Sequence, residues 1–80
     1  MKFNLKKRTN RKIYYNAKWA FTETINKDHP DWYGKTYWEE FGKAHNLRVN
    51  ITSWQGPFPV IESLDFNTKE DYVWFILRYS

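Results

Sequence analysis

Between Lys12 and Phe21 the chain alternates: Ile13, Tyr15, Ala17, Trp19 and Phe21 stand against Lys12, Tyr14, Asn16, Lys18 and Ala20. Period two sustained over that length predicts a half-buried strand. Upstream, Phe3 and Leu5 share one face of 2–7, and Arg8-Thr9-Asn10-Arg11 is polar and turn-like. Residues 2–22 are therefore expected to form a hairpin with an apolar inner face. Its outer face would carry lysines and Tyr14.

Asn26 to Lys35 reads as a loop punctuated by His29-Pro30-Asp31. A helix is predicted over 36–45, opened by Thr36 and Glu39 in the T-x-x-E capping box. Tyr37, Trp38, Phe41, Ala44 and His45 share one face of it, with Glu39, Glu40 and Lys43 opposite. Trp32 and Tyr33 fall off that face, which argues against an earlier start, and Gly42 weakens or ends the last turn.

Leu47, Val49 and Ile51 alternate with Arg48, Asn50 and Thr52, predicting a strand over 47–54. Gln55-Gly56-Pro57-Phe58-Pro59 reads as a loop, because prolines do not sit inside a central strand. A fourth strand follows over 60–66. Asn67 or Thr68 caps a last helix over 68–79, whose first turn, Lys69-Glu70-Asp71, sets acids near the positive end of the dipole. The order β-β-α-β-β-α predicts an α+β fold: an antiparallel four-stranded sheet with two helices packed on one face, in a single domain over 1–80. On the last helix Tyr72, Val73, Phe75, Ile76, Leu77 and Tyr79 span the expected buried arc. Trp74 falls outside it among Glu70, Asp71 and Arg78, where Arg78 could cover the ring.

Composition sharpens this picture. Five Trp, six Tyr and six Phe make 21 % of the chain aromatic. A domain this small encloses only about 60 % of its unfolded surface, so some aromatics must reach solvent, where Trp and Tyr dominate binding hot spots. There is no cysteine, hence no disulfide or thiolate metal site. Charge is polarised along the chain. Lys2, Lys6, Lys7, Arg8, Arg11, Lys12 and Lys18 meet no acid within residues 1–22, whereas the remainder is mildly acidic beneath a total of +4. Such a stretch either solvates the protein or steers an anionic partner. No apolar h-region of about 7–15 residues follows the basic N-terminus, and no apolar run approaches a membrane span, so a cytoplasmic location is expected.

The residues argue against catalysis. His45 sits at the edge of an apolar helix face and reads as a hydrogen-bonded structural histidine. Asp28-His29-Pro30-Asp31 lacks the convergent ligands a closed metal site needs. Glu39-Glu40 and Glu70-Asp71 are sequence neighbours, so on helices they point about 100° apart rather than across one bond. Gly34, Gly42 and Gly56 are isolated and form no phosphate-cradling loop. No cofactor and no metal is expected. Two binding surfaces remain. One joins Trp74 and Arg78 with Trp32, Tyr33 and Trp54, a composition suited to a protein partner. The other comprises Lys6, Lys7, Arg8, Arg11, Lys12, Tyr14 and Lys18, cations for phosphates with an aromatic for a base, as single-stranded nucleic acid requires.

Leu64 to Tyr79 resembles the closing segment of small tailed-bacteriophage accessory proteins. Those proteins end in a strand, an acidic helix start with a conspicuous Asp, then Phe, Leu and a basic–aromatic pair. Phe66, Asp71, Phe75, Leu77, Arg78 and Tyr79 match that pattern, and Trp38-Glu39-Glu40-Phe41-Gly42 is similar to a helix ending found upstream. Tyr72 departs from the small residue usual after the Asp, and the likeness covers about a quarter of the chain. It implies a phage origin, a host-cell cytoplasmic location and a role in host takeover or counter-defence; it transfers no catalytic residue. The resulting expectation is a small non-enzymatic protein that inhibits or redirects a host macromolecule, most simply a host protein. The alternatives are a nucleic-acid-binding accessory protein and a sponge for a signalling nucleotide held between subunits of a homo-oligomer.

Overall fold

The computed structural model describes residues 1–56 and 58–80. Its elements run β1 (Lys2–Asn4), α1 (Arg8–Asp28), α2 (Gly34–His45), β2 (Leu47–Gln55), β3 (Phe58–Phe66) and α3 (Lys69–Tyr79). The three strands form one antiparallel sheet in the order β1-β3-β2. This replaces the expected four strands and two helices with three of each.

The difference lies in the N-terminal third. No hairpin forms over 2–22: β1 is three residues long and α1 occupies 21 residues. The buried stripe of α1 runs through Tyr14, Ala17 and Ile25, with half-buried Ile13, Ala20 and Phe21 beside it. That is the three-to-four spacing of a helix face. Ala17 and Ala20 within the stripe, and the lysines and arginines outside it, are strong helix formers. The helix ends where His29 donates its N–H to the Ile25 carbonyl, one residue before Pro30.

Helix α2 starts two residues ahead of Thr36. Tyr33 is its N-cap without a side-chain bond, so the Thr36–Glu39 capping box does not form. The helix closes at Asn46, whose φ of 53° is the left-handed conformation Asn tolerates. Gly42 has a packing role: a Cβ there would stand 2.7 Å from the Leu47 carbonyl oxygen, so glycine lets α2 close onto β2. At the start of α3, Thr68 is the cap, its Oγ1 accepting from the Asp71 amide at 3.2 Å.

Pro59 lies inside β3, contrary to the expected loop over 55–59. It pairs with Trp54 beyond the reach of β1, which contacts only Ser63–Asp65, so β3 has one free edge there, the setting in which a sheet tolerates proline. Pro57, in the middle of that expected loop, lies outside the described residues.

The core sits between the sheet and the helices. Phe3 meets Phe66, Tyr72 and Phe75 edge-on at 5.6–6.3 Å between ring centres, and Phe41, Leu47 and Leu64 complete the layer. The opposite sheet face is polar: Lys2, Arg48, Asn50, Ser63 and Asp65 share it. Asn16 Nδ2 donates to the Tyr79 carbonyl at 2.8 Å and fixes α1 against the end of α3. Thr22 Oγ1 and the Tyr37 hydroxyl, 2.8 Å apart, fix it against α2. Among the described residues no helix is long and apolar enough to cross a membrane.

Candidate nucleic-acid interface

The acid-free basic segment becomes the solvent-facing side of α1. At 100° per residue, Arg8, Arg11, Lys12, Lys18 and Trp19 all fall within about 60° of Tyr15, on a strip about 17 Å long. Tyr15 is 59 % exposed and Trp19, one turn on, 67 % exposed. Lys6 and Lys7 lie in the turn just ahead, where the Lys6 amide donates to Asn4 Oδ1 and Asn10 Nδ2 donates to the Asn4 carbonyl.

Tyr14 is turned about 100° away from Tyr15, toward the core. It is 7 % exposed, stacks on Trp38 at 6.2 Å, and burial pushes its hydroxyl pKa far above the ordinary tyrosine value. It is therefore part of the core and cannot receive a base. Its sequence neighbour Tyr15 stands in its place, and Trp19 adds a second ring. Only the correct period distinguishes these positions from the buried ones.

The strip is electrostatically unspent. The ion pairs among the described residues are the N-terminal amine with Asp65, Lys35–Glu39, Lys43–Glu40 and Arg48–Asp65, and none uses a cation from 6–18. Lys18 instead sets its Nζ 5.6 Å from the Trp38 ring centre. The first turn of α1 contains no acid, and Lys7 at the N-cap makes no side-chain cap bond. Cations crowd the positive end of the helix dipole, each such contact unfavourable by about 0.3–1 kcal/mol. A bound anion removes that conflict and meets free backbone N–H groups.

The residues expected to anchor a protein partner do not converge. Trp32 is half-buried, stacked on His29 at 3.9 Å and packed against the core. Tyr33 is exposed at the mouth of α2. Trp54 lies at the far end of β2. Trp74 is 64 % exposed, and Val73 and Leu77, expected in the buried arc, join it in an apolar patch on α3. Arg78 lies 5.3 Å from the Tyr79 ring centre, the contact expected for Trp74.

His45 closes the α2–α3 seam. Its Nδ1–H donates to the Phe41 carbonyl at 2.9 Å and its Nε2 accepts from the Tyr79 hydroxyl at 2.9 Å. Burial holds its pKa below the ordinary value, with Arg78 acting in the same direction and the Phe41 bond opposing. At the start of α3, hydrogen bonds from Thr68 and then Asn46 hold the Asp71 carboxyl below its usual range. Both groups are committed to structural bonds. No group of three His, Cys, Asp or Glu side chains converges among the described residues.

No family model, no curated protein and no solved structure matches this chain.

Proposed function

We propose that this chain is a non-enzymatic protein that binds single-stranded nucleic acid along the outer face of α1. The observation that carries the reading is Tyr15 and Trp19, one turn apart and solvent-exposed, within a strip of unpaired cations. Phosphates would take the cations and the uncapped helix start, while two bases stack on the rings. A role of this kind is compatible with an accessory protein that occupies a macromolecule's surface, as the phage-like resemblance implies.

Fluorescence anisotropy with labelled single- and double-stranded oligonucleotides tests it. Trp19→Ala should weaken single-strand binding by about 1–3 kcal/mol, roughly 5- to 150-fold, with an unchanged melting temperature. A wild-type protein that binds no single strand at low salt ends the proposal. So does a Trp19→Ala variant that binds as well as wild type.

The second reading is a protein partner on the α3 patch, favoured by the solvent-facing Val73, Trp74 and Leu77 side by side. Trp74→Ala should then abolish capture of a protein from nuclease-treated host lysate while leaving oligonucleotide binding intact.

A further inference from the structure

β2 is an edge strand along its whole length. Its ladder runs to β3 alone, and among the described residues no other backbone bond reaches Leu47–Gln55. Nine residues at about 3.3 Å each make an open edge of about 30 Å. Monomeric proteins blunt such edges with lysines, prolines, a covering loop or a bulge that turns the strand aside. β2 contains no Lys and no Pro, and it is rich in the β-branched residues that favour pairing. The register with β3 shifts twice, leaving Glu62 and then Thr52 unpaired, and Ser53–Val60 returns to the register of Asn50–Ser63, so β2 continues along β3 on either side of Thr52.

Beside the edge, between β2 and α2, lies an open groove of about 500 Å³ floored by Trp38, Leu47, Val49, Ile51 and Trp54. Its rim is electrically quiet. Lys35 and Lys43 are matched by Glu39 and Glu40 at 3.9 and 3.2 Å. Arg48, the single charge on β2, is matched by Asp65 at 3.6 Å. A strongly charged peptide would gain nothing here from electrostatics, whereas a near-neutral strand meets no uncompensated charge. β2 is itself such a strand.

We propose that β2 pairs antiparallel with β2 of a second copy of this chain, joining two three-stranded sheets into one of six. About a two-fold axis near Ile51 the two Arg48 side chains stand about 20 Å apart along the ladder, beyond the Debye length of about 8 Å at physiological salt. Trp54, 42 % exposed in one chain, gains a neighbour at the groove. The α1 strip lies outside this interface, so the proposal stands or falls apart from the nucleic-acid reading.

Sedimentation equilibrium without nucleic acid tests it. The wild-type chain should show twice its 9.9 kDa and dissociate on dilution. Thr52→Lys and Thr52→Glu, each placing like charges across the axis, should each weaken the dimer roughly tenfold or more. An equal mixture of the two should recover a heterodimer, which misfolded chains would not form. Hydrogen exchange on the unsubstituted chain supplies a second reading: protection across 47–55 should rise with protein concentration. A wild-type monomer at every concentration, dimers that survive both substitutions, or protection independent of concentration would each overturn the proposal.

Discussion

Tyr14 and Tyr15 exchange roles depending on whether this segment is a strand or a helix, so truncating each in turn measures the fold directly. In the helix, Tyr14 is 7 % exposed and stacks on Trp38. Tyr14→Ala removes a buried ring and leaves a cavity, a loss of about 3–5 kcal/mol by analogy with other buried aromatics. Tyr15, on the solvent side, loses a tilted contact with the Tyr14 ring at 5.4 Å, worth about 0.5–1.5 kcal/mol. For a domain of this size each kcal/mol shifts the melting temperature by about 4–8 °C. Thermal melts followed by circular dichroism should therefore show a fall of roughly 12 °C or more for Tyr14→Ala, and a clearly smaller one for Tyr15→Ala. Equal losses, or a larger loss at Tyr15, would refute the helical assignment and the α1 interface with it.

Two further outcomes follow from the packing and the half-buried His45. Gly42→Ala gains about 1 kcal/mol of helix propensity, but its Cβ would meet the Leu47 carbonyl at 2.7 Å; chemical denaturation should show a net loss of stability, and a gain would mean that α2 does not approach β2 so closely. His45 is held neutral in the fold below its ordinary pKa of 6.5, so the unfolded chain takes up the proton first. The stability it contributes is complete above that value and falls as pH drops through and below it. Melting temperature should decline from neutral to mildly acidic pH, and His45→Gln should flatten that decline.

The C-terminal half was legible because its signals are local. The alternation of Leu47, Val49 and Ile51, the Thr68 cap and the acids after it each specify an element without help from distant residues. The N-terminal third misleads for a definite reason. Ile13, Ala17 and Phe21 are spaced by four, and four residues return to the same side of both a strand and a helix. Tyr15 and Trp19 then complete a false alternation, because a chain this rich in aromatics must leave some in water. The signal that decides is the Tyr14–Ala17–Phe21–Ile25 stripe, which only the helical period explains. The same ambiguity carried into the site. Its cations, read from charge polarity alone, lie on the α1 face and in the turn before it. Tyr14, expected on the outer face, is buried and Tyr15 is exposed, since one step along a helix separates core from solvent. The lesser misreadings, the Thr36 cap and the loop at Pro59, came from rules whose conditions depend on tertiary neighbours: where the chain turns into α2, and how far β1 extends along β3.

The most direct test of the central claim is the salt dependence of single-strand binding. Each phosphate neutralised contributes about −0.7 to the slope of log affinity against log salt. If Lys6, Lys7, Arg8, Arg11, Lys12 and Lys18 all engage phosphates, the slope should approach about −4, and Arg11→Gln should make it shallower by about 0.7. A slope near zero, or one that substitution within the α1 strip leaves unchanged, would contradict the account.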